Sequence, residues 1–240
     1  MRFKNELHFS SLPSTNTFLK ENYYSLPNYT VVTAKKQTAG RGRLERIWYG
    51  GDDLLLSVLI KDALDLKEIT KISLVAAAAV WKTLKPLLAA EIKWPNDIVY
   101  RGKKITGILT ESVIISQKLA ALIIGIGINV NTVEFPEEIA EKATSLALAT
   151  GKNYDLEKLK QDLLINLDYF YQDFLHGGSE FIDVCRNNSS LIGKEVIFDD
   201  FKTQRKALVL EILENGNILL EIGREKVEYA SGEITLRGVY

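Results

Sequence analysis

Leu54-Leu55-Leu56-Ser57-Val58-Leu59-Ile60 is an apolar run of strand length without alternation. A strand with one wet face alternates polar and apolar residues, so this run predicts a strand covered on both faces. Directly after it the period changes. Within 67–84, Ile69, Ile72, Val75, Ala76, Ala79, Val80 and Leu84 fall on helical spacing, and Pro86 blocks extension. The small residues at 76–79 would let this helix lie close against a sheet.

Working outward, Thr30-Val31-Val32-Thr33-Ala34 reads as a strand, and Ser14-Thr15-Asn16 as a hydroxyl cap before a short helix from Thr17. The apolar stretches 98–100 and 105–110, joined by Arg101-Gly102-Lys103, predict a hairpin. Residues 119–130 read as a long central strand interrupted by Gly125 and Gly127. Asp155 caps a further helix in which Leu156, Leu159, Leu163, Leu167, Phe170 and Phe174 recur, with Gly177-Gly178 as its stop. After 187–190 come short β-like runs at 195–198, 207–212, 218–222, 226–229 and 233–236, with Asn215-Gly216 as a tight turn. The pattern predicts an α+β chain. Residues 1–187 would form a mixed β-sheet domain flanked by helices, and 188–240 a small barrel-like β domain.

Thirty Lys+Arg against 31 Asp+Glu leave a net charge of −1, which argues against a nucleic-acid grip by bulk charge but leaves a local patch open. The single cysteine, Cys185, cannot form an internal disulfide and points to a reducing, cytoplasmic setting. With only His8 and His176, a His-rich metal centre is excluded. The N-terminus carries charge but no apolar signal region, and the longest apolar run, 119–128, is far short of the ~20 residues of a spanning helix. No membrane association is expected.

The densest chemical signal is Gln37-Thr38-Ala39-Gly40-Arg41-Gly42-Arg43-Leu44-Glu45-Arg46-Ile47-Trp48. Its glycines allow close backbone approach, and its arginines offer planar donor forks for phosphate or carboxylate oxygens. A solvated flexible loop is served equally well by the spacing alone. Lys93-Trp94-Pro95-Asn96-Asp97 is turn chemistry, either a plain corner or a rim that presents Lys93 and Asp97 as opposite charges. Gly107, inside a predicted strand after Lys103-Lys104, marks a place where something approaches the backbone. The polar end of Gly125-Ile126-Gly127-Ile128-Asn129-Val130-Asn131 is either a strand terminus or a ligand edge.

In this order and spacing, these motifs resemble the biotin–protein ligases, over about residues 9–131. The resemblance implies a catalytic domain similar to the class II synthetases, with a small SH3-like barrel behind it. It implies that biotin and Mg-ATP give biotinyl-5′-AMP, which a lysine of a carboxylase's biotin carrier domain then attacks. Carried over by motif, Ser14, Thr15, Gln37, Gly40 and Arg41 would line the biotin site. Lys104 would meet the biotin carboxylate, and Gly107 would give the ligand room. Arg43 and Arg46 would contact phosphates, Trp48 would cover the adenylate, and Asn129 would sit near the adenine. Lys104, Arg43 and Asp97 would be the catalytic group, with Asp97 at a metal or acceptor-lysine position; no metal ligand set is evident. Mg2+ would accompany ATP, and the protein would be a monomer or a homodimer.

The physics suits this chemistry. Carboxylate attack on a phosphate brings two anions together and calls for clustered cations. Acyl transfer to an amine with AMP leaving needs no nucleophilic triad. Two departures stand out. Glu45 occupies a position where the family commonly has glycine. The motifs also begin by residue 14, which leaves no room for an N-terminal winged helix-turn-helix, so the chain resembles the short form: a ligase without specific DNA binding. The rivals are a lipoate–protein ligase, whose Arg-Arg-x-Ser-Gly-Gly-Gly signature is absent, and a nucleic-acid-binding module built on the Arg-Gly loop and the terminal β segment.

Overall fold

The computed structural model describes residues 2–236, without the side chains of Glu45, Leu66, Thr235 and Leu236. Seven strands form the main sheet: β1 (Asn5–Phe9), β2 (Thr30–Ala34), β3 (Leu54–Ile60), β4 (Glu91–Lys93), β5 (Asp97–Tyr100), β6 (Lys103–Ile115) and β7 (Lys118–Ile128). They lie in the order β1-β2-β3-β7-β6-β5-β4. Only β1 and β2 run parallel; the other neighbours are antiparallel. The helices are α1 (Thr15–Asn22), α2 (Ile69–Leu84), α3 (Glu137–Ala140), α4 (Leu146–Thr150), α5 (Leu156–Leu175) and α6 (Glu180–Asn187).

All seven residues of β3 are buried, as its unbroken apolar run predicts, and the two faces are covered differently. Leu54, Leu56, Val58 and Ile60 join Leu122, Ile124, Ile126 and Ile128 of β7 in the main core, which also contains the apolar faces of α2 and α5. On the other face, Leu59, Val32, Ala121 and Ile123 form a separate small core under Leu19 of α1. Side chains alternate across a strand, so Ser57 and Gly125 continue this second face under the first turn of α1, and Gly127 and Gly107 continue it further. One face of the sheet thus packs on the main core, and the other ends in small residues.

The helix expected over 67–84 begins as helix at Ile69. α1 starts at Thr15, two residues earlier than read, with Ser14 as its cap. The hairpin strand grows to Lys103–Ile115 because pairing with β7 continues to Ile115 opposite Lys118. The central strand stops at Ile128; the Val130 N–H leaves the ladder and donates to the buried Asp53 Oδ1 at 2.8 Å. β1 lacked a readable signal, whereas α4 and α6, which the reading passed over, carried one: Ser145 and Gly151 bracket α4, and Phe181, Ile182 and Cys185 share the buried face of α6. β1 is an edge strand whose Asn5, Glu6 and His8 hide its period.

The C-terminal segment forms β8 (Glu195–Asp199), β9 (Gln204–Ile212), β10 (Ile218–Ile222), β11 (Glu225–Tyr229) and β12 (Glu233–Leu236). They make one antiparallel sheet in the order β11-β10-β9-β8-β12, without β11–β12 pairing among the described residues. Val209, Ile212, Ile218 and Leu220 share the main core with α2. The Trp94 indole N–H donates to the Gly216 carbonyl at 2.9 Å, in the Asn215-Gly216 turn. Among the described residues, no helix is long and apolar enough to cross a membrane.

Candidate active site

A buried polar cluster sits where α1 meets β3. Ser14 caps α1, its Oγ accepting from the Thr17 N–H. Gln37 Oε1 accepts from the Thr15 N–H at 2.7 Å and lies 3.1 Å from Thr15 Oγ1. Ser57 Oγ lies 2.7 Å from Thr15 Oγ1 and 2.5 Å from Asn16 Oδ1. These three oxygen–oxygen contacts share two hydroxyl protons, so the cluster has a surplus of acceptors. Asn16 Nδ2 donates to Glu111 Oε2 at 2.9 Å, while Lys20 and Arg41 donate to Glu111 Oε1 at 3.2 and 3.1 Å. Burial opposes the ionisation of Glu111, but these donors and the neighbouring cations outweigh it and hold its pKa below the ordinary glutamate value.

Next along the same face is a floor without side chains. Gly107 and Gly127 are cross-strand partners, and the Trp48 indole rests over both. A Cβ on either would fall under 3.0 Å from ring atoms, closer than real packing allows. A 680 Å³ cavity beside them is lined by Ser14, Gln37, Gly40, Arg41, Trp48 and neighbours.

At the far end the charges gather. Lys104 Nζ sits 2.7 Å from Asp97 Oδ1 and 5.7 Å from the centre of the Trp48 ring. Lys93 is the cross-strand partner of Asp97. Burial pushes the Lys93 pKa down; Asp97 opposes that shift and Lys104 adds to it. The Lys93–Asp97 turn thus brings two lysines and one aspartate together.

The arginine loop is closed on itself: Trp48 N–H donates to the Gly40 carbonyl at 2.9 Å, and Gly42 N–H to the Arg46 carbonyl at 2.7 Å. Its arginines diverge. Arg41 turns to Glu111, Arg43 donates to Asn96 Oδ1 and the Gly232 carbonyl, and Arg46 meets Glu233 Oε2 at 2.6 Å. Asn129 is buried and donates to the Thr144 carbonyl at 3.0 Å.

The structure brings Ser14, Gln37, Gly40, Arg41 and Trp48 to one cavity and Trp48, Gly107, Lys104 and Asp97 beside one another, while Arg43 and Arg46 turn to Gly232 and Glu233 and Asn129 to Thr144. Sequence reasoning missed Ser57, Asn16 and Glu111 as parts of the site. One signal existed for Ser57, as the lone hydroxyl in the apolar run of β3. Among the described residues, no three His, Cys, Asp or Glu side chains are grouped to hold a metal ion.

Comparison with known proteins agrees with this geometry. The model of the biotin/lipoate A/B protein ligase family matches residues 8–129, just over half of the chain. A bifunctional ligase/repressor of Bacillus subtilis is 34% identical over 88% of this chain and 67% of its own length. One of Bacillus spizizenii is 39% identical over 63% of this chain, which spans about half (49%) of that protein. A biotin protein ligase of Aquifex aeolicus, solved in complex with biotin and ATP, superposes with a TM-score of 0.85 at 32% identity, covering 98% of this chain and 99% of that one. Fold, site geometry and similarity agree, and the chain belongs to the biotin/lipoate A/B protein ligase family.

Proposed function

We propose that this chain is an ATP-dependent biotin–protein ligase. It would join the biotin carboxylate to AMP with release of pyrophosphate, then pass the biotinyl group to a lysine of a carboxylase's biotin carrier domain. The observation that carries the reading is the succession of three chemical zones along one sheet face. The acceptor-rich cluster of Thr15, Ser57 and Gln37 suits the N–H groups of a ureido ring. The Trp48 indole, seated on the glycine floor and lining the cavity, suits an apolar chain. The Lys104–Lys93 end suits a carboxylate.

In this reading Ser14, Thr15, Gln37, Gly40, Arg41 and Gly107 line the biotin site, and Lys104 meets the carboxylate. Arg43 and Arg46 leave Gly232 and Glu233 for phosphate oxygens, Trp48 covers the adenylate, and Asn129 borders the adenine. In the first step a carboxylate oxygen bonds to the α-phosphorus while the bond to pyrophosphate breaks, and the lysines and arginines neutralise the converging anions. In the second, a neutral lysine amine bonds to the acyl carbon, the bond from that carbon to the phosphate oxygen breaks and AMP leaves, and the proton shed by the amine passes to solvent. Asp97 would accept a hydrogen bond from that amine.

Asp97 is paired with Lys104, so the described donor set does not fit a protein-built magnesium site. Magnesium enters this proposal only as a companion of ATP. We assign the ligand chemistry to residues 1–187, with 188–240 as a small β unit beside it, in a cytoplasmic monomer or homodimer. The test is biotin-dependent pyrophosphate–ATP exchange, with mass spectrometry of a carrier domain. Exchange is expected with biotin and essentially none with lipoate or octanoate, and the carrier gains one biotinyl group. Lipoate exchange of equal or greater efficiency would overturn the reading.

A further inference from the structure

We infer that Glu111 is a positioning residue for biotin, acting by fixing Arg41 and the front of the 37–48 loop against α1. The inference rests on the biotin-pocket reading above.

Glu111 lies on β6 with its side chain 16% exposed, and both carboxylate oxygens are engaged. Oε2 accepts from Asn16, and Oε1 from Lys20 and Arg41. Following the hydrogen bonds from Gln37 leads through Thr15, Ser57, Asn16 and Glu111 to Arg41. The circuit leaves and re-enters the same loop. Gln37 and Arg41 are thus held from opposite ends, and the segment between them is also tied by the Thr38 N–H to the Leu12 carbonyl and the Ala39 N–H to the Pro13 carbonyl. This is the stretch that lines the 680 Å³ cavity.

Glu111 also sorts the arginines. Its carboxylate commits Arg41 to anchoring the loop, while Arg43 and Arg46 point to Asn96, Gly232 and Glu233. A neutral side chain at 111 keeps the reach to Asn16 but loses the charge-assisted bonds to Arg41 and Lys20, which are the stronger ones. The loop front then loses this tie while Arg43 and Arg46 keep theirs. The effect falls on biotin rather than on ATP.

The test uses the full chain with Glu111→Gln and Arg41→Gln. In ligand-free protein, trypsin cleavage after Arg41 is expected to quicken about tenfold in Glu111→Gln, with cleavage after Arg43 and Arg46 near the wild-type rate. In pyrophosphate exchange, the biotin KM is expected to rise about tenfold, with kcat and the ATP KM within about threefold of wild type. The double variant should be no worse than either single one. Wild-type cleavage and wild-type biotin KM in Glu111→Gln would overturn the inference, and so would a fall in kcat at unchanged biotin KM. If Glu111→Gln does not fold, Glu111→Asp, which keeps the charge but shortens its reach to Arg41, decides by the same readings. A wild-type protein without biotin-dependent exchange would sink the proposed function instead, and the cleavage rates would still decide the role of Glu111.

Discussion

Trp48 rests on Gly127: a Cβ built on the glycine would stand 2.6 Å from both Cε2 and Cζ2 of the indole. Its cross-strand partner Gly107 would bring a Cβ within 2.7 Å of Cζ3. The ring and the bare strands therefore form one surface, and any side chain there lifts the ring. Gly127→Ala is expected to lower adenylation by about 10²-fold, the scale of a 1 Å misplacement at a reacting centre. Its circular dichroism should match wild type, because the indole belongs to a loop rather than to the core. Wild-type exchange in this variant would mean that the floor does not touch the ligand.

Lys104 offers a different kind of test. Its ammonium is paired with Asp97 at 2.7 Å, and both side chains are partly exposed, so little of the fold depends on the pair. Lys104→Ala should cut exchange by about 10²-fold or more, through loss of a charge-assisted bond to the carboxylate. Denaturant midpoints should hardly move. Near-normal exchange would put the carboxylate elsewhere.

Ser57 is the opposite case, where stability itself should respond. It is fully buried, and its hydroxyl faces Thr15 Oγ1 and Asn16 Oδ1. Ser57→Ala removes the proton one of them needs and should cost about 1–3 kcal/mol. The readout is a lower urea midpoint at unchanged slope. An unshifted midpoint would mean that the neighbours satisfy each other.

The depressed pKa of Glu111 also fixes the sign of a pH effect. Its stabilisation is fully present above the ordinary glutamate pKa of 4.5 and is lost as the pH falls through the lower native value. Wild-type stability should therefore drop on acidification below that point more steeply than in Glu111→Gln. Parallel acid limbs for the two proteins would contradict it.

The arginine loop should also respond to ligand. Two backbone bonds close it, Gly40 to Trp48 and Gly42 to Arg46, and Leu44 and Ile47 on it are exposed. Biotin with Mg-ATP supplies phosphate for Arg43 and Arg46, so tryptic cleavage there should slow markedly. Equal cleavage with adenylate bound would mean that the loop is already set before ligand arrives.

Much of this was legible in the residues. The unbroken run of β3, the small face of α2, and the strands 218–222 and 233–236 were readable because packing demand is written locally as period and composition. The motif glycines and lysines were readable too, because close approach and charge leave residue-type signatures. The Glu111 circuit was not, since Asn16 and Glu111 lie 95 positions apart and each looks ordinary among its neighbours. The ties of Arg43 to Gly232 and of Arg46 to Glu233 span 189 and 187 positions and have no local trace. β1 stayed hidden because an edge strand needs no alternating pattern when its partner supplies the register.

The five residues from Lys93 to Asp97 face two ways. Lys93 and Asp97 join Lys104 in the charged group, while Trp94 between them is buried and holds the Gly216 carbonyl of the C-terminal sheet. The pentapeptide therefore ties the charged turn to the C-terminal sheet through one side chain, Trp94, which is next to Lys93 and three positions before Asp97.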